Sequence, residues 1–142
     1  MGVAGSTDPR EVIRGVYEAW NARDLDTAEA LYHPDAVYDC TDRILNPDVY
    51  RGHGELRRFA REVDEDWASF EVFLDELVAV DPERFIALLH TRARGRASGV
   101  EVQESQAATL WTIREGQAVH ARLFRDRRDA FAEAGIPYPQ TE

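Results

Sequence analysis

The chain has 142 residues, 44% of them hydrophobic and 31% charged, with a net charge of −10. That length fits a single domain able to bury roughly 70% of the surface its unfolded chain exposes, while the acidic balance disfavours nucleic acid as a partner, since phosphate binding needs a basic face. A lone cysteine, Cys40, excludes an internal disulfide framework and a cysteine-based zinc cluster, and no window approaches a membrane span. The opening MGVAGSTDPR has no apolar stretch of signal-peptide length, so a cytoplasmic protein without a membrane partner is expected. All 17 basic residues are arginine, a bias we attribute to codon usage rather than to binding.

Residues 1–7 form a loose tail, and 8–136 the folded unit, followed by a second tail over 137–142. Asp8-Pro9-Arg10-Glu11 marks a helix start, with Asp8 as N-cap and Pro9 in the first turn. Val12, Ile13, Val16, Tyr17 and Trp20 then lie on one broad helical face. After Asn21 to Asp24, a shorter helix runs through Ala28, Leu31 and Tyr32 toward Pro34. Ala36 to Cys40 reads as a strand, and a loop through Asn46-Pro47 leads to a third helix with Leu56, Phe59, Ala60, Val63 and Trp67 at helical spacing. Beyond Trp67 the period drops to two: Phe70, Val72 and Leu74 alternate with Glu71, Phe73 and Asp75. Strands follow over Phe85 to Ala93, Val100 to Ile113 and Ala118 to Arg125, separated by Asp81-Pro82, Ala97-Ser98-Gly99 and Glu115-Gly116. A closing helix capped by Asp126 ends at Gly135, with Pro137 beyond. Strands joined by such short turns are antiparallel, so the fold class is α+β: a curved antiparallel sheet wrapped around three N-terminal helices, plus a short C-terminal helix.

Three segments, VIRGVYEAWNARDLDTAEALYHPDAVYD, YRGHGELRRFAREVDEDW and LWTIREGQAVHARLFRDRRDAFAEAG, resemble in order and spacing the SnoaL-like branch of the nuclear transport factor 2-like superfamily. The resemblance spans about residues 10–136. It implies a cone-shaped, cystatin-like fold with a pocket at its wide end, and a homodimer. Members of the superfamily include ketosteroid isomerases, polyketide cyclases and limonene-epoxide hydrolases, so the fold alone selects no activity. In an ungapped match, the isomerase general base falls on Cys40, its oxyanion-hole tyrosine on Val16, a supporting tyrosine on Ala60 and its protonated aspartic acid on Thr109. All four are replaced, and enolate stabilisation by a neutral carboxylic acid is lost with them. The final-strand carboxylate of the epoxide hydrolases and the base of the cyclases fall on Leu123, and Ile86 and Ala87 stand where a further carboxylate is needed; only a water-holding tyrosine is kept, as Tyr38.

On that register the pocket lining is Val16, Trp20, Tyr38, Cys40, Ala60, Ser105, Ala107, Thr109, Trp111, Ala121, Leu123 and Arg125, an apolar and aromatic set with a few polar groups. The same aromatics could instead fill the cone as core. Arg125 could clamp a carboxylate or enolate, or reach solvent or pair with Asp126 or Asp129. Tyr38 could donate to a ligand oxygen, whereas Cys40 reads as a small buried apolar residue. His33, His53, His90 and His120 have no metal-ligand spacing, and neither a metal nor another cofactor is expected; His53 could gate a pocket mouth. His90, Arg92 and Arg94 on one strand, with His120 and Arg122 on another, form a cationic stripe expected on the convex face, paired with Glu104 or a dimer mate. Leu88, Leu110 and Phe124 on that outer side would expose an apolar strip, a physical argument for the homodimer. The expected function is binding of a small apolar or weakly anionic molecule. The alternatives are an isomerase, cyclase or epoxide hydrolase using non-standard residues, and a structural or partner-binding dimer.

Overall fold

The structure, a computed structural model, describes residues 8–44 and 46–139; the expected tail over 1–7, Leu45 and the last three residues lie outside the described residues. Helix α1 spans Pro9–Asn21, with the Asp8 carboxylate accepting from the Arg10 N–H, and α2 spans Leu25–Ala30, capped by Asp24. Strand β1 is Tyr32–Asp39, β2 is Val49–Arg51, and α3 is Gly52–Asp66. The remaining strands are β3 (Trp67–Ala79), β4 (Arg84–Gly95), β5 (Glu101–Glu104), β6 (Ala108–Arg114) and β7 (Gln117–Phe124), before α4 (Arg127–Ala134). One sheet runs β2-β1-β7-β6-β4-β3, with β5 also on β4. All pairings are antiparallel except β1 with β7.

Strict alternation along β4 divides the molecule. Phe85, Ala87 and Leu89 point to the concave face, where they pack with Val12, Ile13 and Val16 of α1. Ile86 and Leu88 point the other way, where Leu110 and Phe124 join Ala130, Phe131 and Ala134 of α4. Three helices therefore fill the cone and the fourth closes its back. Asn21 fixes the depth of α1: its amide donates to Val72 O at 2.7 Å and accepts from Val72 N at 3.0 Å. Gly135, at φ +78°, takes the left-handed position that ends α4.

Several expectations are corrected. The second helix stops at Ala30, and Tyr32 opens β1; Pro34 falls in the irregular stretch between the paired residues Tyr32 and Val37, where a missing N–H costs the ladder nothing. The loop before α3 contains β2, too short to show a period, whose Tyr50 pairs with Tyr38. The long strand over Val100 to Ile113 is two strands, β5 and β6, with an exposed Ser105-Gln106 break where the Glu104 carboxylate accepts from the Gln106 N–H. The cationic stripe does lie on the convex face, but its partners are Asp75 for His90, Glu71 for Arg92 and Glu101 for Arg94. Glu104 lies in the cavity wall described below. Leu88, Leu110 and Phe124 form no exposed strip, because α4 of the same chain buries them. That physical argument for a dimer falls.

Candidate functional site

The concave face, α1 and α3 leave a cavity of about 420 Å³ between them. Helix α1 contributes Val16, Tyr17 and Trp20, and α3 contributes Phe59, at the stripe positions that the helical period places inward. The sheet contributes alternate residues, Thr109 and Trp111 from β6, Leu123 from β7, Tyr38 from β1 and Phe70 and Val72 from β3. Two rings anchor the wall. Trp111 meets Tyr17 edge-on at 5.8 Å and Tyr32 at 5.9 Å between centroids. Phe59 meets Trp20 at 5.5 Å, Tyr38 at 5.1 Å and Tyr50 at 5.1 Å. The aromatics thus brace one another around a space rather than meeting at its centre.

Polar groups in the wall are few. Trp111 Nε1 donates to the Tyr17 hydroxyl at 3.0 Å, and Thr109, itself buried, hydrogen-bonds the same oxygen. Burial pushes both Tyr17 and Tyr38 well above the ordinary phenol range, so both are neutral donors at any physiological pH. Burial also pushes the Cys40 thiol up to about 12, which removes it as a nucleophile or base near neutrality. Two donors in the wall have buried nitrogens with no partner among the described residues: Trp20 Nε1 and Arg43 Nη1.

Arg43 is placed by the turn after β1. Asp39 accepts from the Thr41 N–H and hydroxyl, Arg43 N donates to Cys40 O at 3.1 Å, and Asp42 Oδ2 accepts from Arg125 N at 2.8 Å. These bonds tie the loop to the end of β7 and lay the Arg43 guanidinium over Phe59, 5.3 Å from the ring centre.

Of the expected lining residues, Val16, Trp20, Tyr38, Ala107, Thr109, Trp111, Leu123 and Arg125 are in the wall, and Cys40, Ala60, Ser105 and Ala121 are not. Cys40 follows the last residue of β1 and is fully buried in the turn, its N–H donating to Asp48 O. Ala60 is rotated about 100° around α3 from Phe59. Ala121, opposite Trp111 and Tyr38 in register, is a methyl hidden between two large neighbours. Ser105 sits in the exposed strand break. Arg125 pairs with neither Asp126 nor Asp129; its Nε lies 3.8 Å from Asp42, and its side chain is 57% exposed. His53 is held away from the cavity, its Nε2 2.9 Å from Tyr32 O. Sequence reasoning missed Tyr17 and Phe59 as wall residues, although both lie in the apolar stripes that it identified, and missed Arg43, which no periodic pattern marks.

Fold and cavity together define an α+β cone of the nuclear transport factor 2-like type. A family model, the SnoaL-like domain, matches residues 13–121, and the chain belongs to that family. No curated protein matches the sequence significantly. Among solved structures, an NTF2-like protein of unknown function from Burkholderia pseudomallei is 23% identical, with a TM-score of 0.74 over 89% of this chain and 97% of that one. TerC, co-crystallised with polyporic acid, is 18% identical with a TM-score of 0.74 over 89% and 97% of the two chains. Rv0760c from Mycobacterium tuberculosis, in complex with estradiol-17beta-hemisuccinate, is 14% identical with a TM-score of 0.71 over 84% and 94%.

Proposed function

We propose that the protein binds a small, largely apolar molecule in the cone cavity, with a ligand oxygen hydrogen-bonded by the Tyr17–Thr109 hydroxyl pair. The observation that carries this is the cavity itself: about 420 Å³ walled chiefly by aromatic rings, with a neutral donor pair buried in it, the composition of a small-molecule site. Similarly folded proteins have been crystallised with polyporic acid and with estradiol-17beta-hemisuccinate, which supports a cavity of this type taking molecules of that size. Turnover by proton transfer is the weaker reading. Among the described residues the wall's one carboxylate is Glu104, already accepting from the Gln106 N–H, and the thiol at the isomerase base position is held protonated.

Native mass spectrometry of freshly purified protein, followed by identification of whatever unfolding releases, tests the proposal. A stoichiometric small molecule lost on unfolding is expected. Failure to retain any compound, either from the cell or from a panel of ring-containing carbonyl compounds added at tens of micromolar, would reject it. Thr109→Val should weaken retention while the fold persists.

A further inference from the structure

We infer that the ligand is an organic acid, a ring compound whose carboxylate or phenolate oxygen is bound beside Phe59 by Arg43 and Trp20; this rests on the binding role proposed above. The starting point is an imbalance of charge. The chain is strongly acidic, and the arginines around this end of the sheet have carboxylates: Arg122 lies 3.9 Å from Asp39, Arg125 3.8 Å from Asp42 and Arg127 2.9 Å from Asp75. Arg43 is the exception, with no carboxylate within ion-pair distance among the described residues, although it stands in the cavity wall. Its guanidinium lies against Phe59, and one of its nitrogens is buried without an acceptor. A guanidinium partly withdrawn from water and left without an anion carries a desolvation cost, and water can fill its hydrogen bonds without neutralising it.

Another unpartnered donor lines the same cavity. Trp20 Nε1 also belongs to a wall residue, and its ring packs on Phe59 at 5.5 Å, so both orphan donors flank one aromatic ring. Neither can accept a hydrogen bond. The group that satisfies them must therefore present acceptors, and the unpaired guanidinium charge favours one that is negative. A carboxylate or phenolate does so, with the adjoining ring against Phe59 and charge-assisted bonds to the guanidinium. Arg125, the sequence-level candidate for this task, is already matched by Asp42.

The full chain is titrated with anthracenecarboxylate and with anthracenemethanol, its uncharged counterpart, following probe fluorescence at neutral pH. The acid should bind at least about tenfold more tightly, the worth of one hydrogen bond to a charged group. Arg43→Gln should abolish that preference while changing the alcohol's affinity by less than about twofold, and Arg43→Lys should retain part of it. Arg92→Gln, the same charge change on the convex face, should leave the preference intact. Equal affinities, or a preference that survives Arg43→Gln, overturn the acid assignment and leave the binding role standing. Binding of the alcohol with exclusion of the acid does the same. Failure of both probes to bind at millimolar concentration overturns both.

Discussion

At the scale of single residues, the difference between Val16 and Tyr17 is instructive. Both sit on the inner face of α1, but only Tyr17 brings a hydroxyl to Thr109 and Trp111. Replacing Tyr17 with Phe leaves the Trp111 indole N–H, on a side chain 2% exposed, without its acceptor. The cost should be about 1–3 kcal/mol, the penalty for a buried donor left unpaired. Urea unfolding would read it as a lowered midpoint at unchanged m-value. If the midpoint stays in place, the indole finds another acceptor and the pair is not the polar centre of the cavity. The stripe containing Tyr17 is legible in the sequence, but the partner of its hydroxyl is not, because Trp111 lies 94 positions away.

At the scale of elements, α4 decides what the back of the sheet shows to solvent. Its Asp126 cap and Gly135 terminus are readable locally, since a cap bonds to its own first turn. Its landing place is not. Arg127 bonds to Asp75, to Leu89 O and to Ala107 O, which fastens the start of the helix across β3, β4 and the strand break. Phe131 is then buried against the strip that alternation along β4, β6 and β7 creates. Phe131→Ala should destabilise the fold by about 3 kcal/mol or more, the usual cost of an aromatic-sized hole. Removing α4 altogether should expose Leu88, Leu110 and Phe124 and drive self-association, visible as a concentration-dependent mass in sedimentation equilibrium. A truncated chain that stays monomeric would show that the strip needs no cover. For the intact chain, a homodimer is a proposal resting on the family resemblance alone, and the same experiment decides it.

At the scale of the molecule, the buried acids give stability a sharp alkaline edge. Burial raises the Cys40 thiol from 9.0 to about 12, and the Tyr50 phenol, buried and donating to Glu62, from 10.0 to about 12. Tyr17, Tyr32 and Tyr38 are raised too, chiefly by burial. Each folded-state value lies above the unfolded one, so the contribution is complete below the unfolded value and is lost as pH climbs through the window. Stability should hold to about pH 9 and then fall, with Cys40 alone accounting for about 1.4 kcal/mol by pH 10. Cys40→Ala should lower stability near neutral pH but reduce the loss between pH 8 and 10 by about that amount. An unchanged loss would mean that the thiol ionises as readily folded as unfolded. No helix among the described residues is long and apolar enough to cross a membrane.

What the sequence determined by itself is what depends on near neighbours and on pattern. Helix starts at Asp8 and Asp126, the switch from period 3.6 to period 2 at Trp67, the antiparallel meander and the family all follow from residues within a few positions of one another, or from their order. Strand parity around His90 to Arg94 is an expectation that the sequence leaves open, and the β3–β4 and β4–β6 pairings decided it. The tertiary structure alone decided what depends on distant or irregular chain. The parallel pairing of β1 with β7 sets Tyr38 beside Ala121 across more than eighty residues. The turn after β1, held by Asp39 and Asp42, puts Arg43 over Phe59. Periodicity reports which way a side chain faces only while the backbone keeps a period; at a strand end, a loop or a landing helix, packing between remote segments makes that choice.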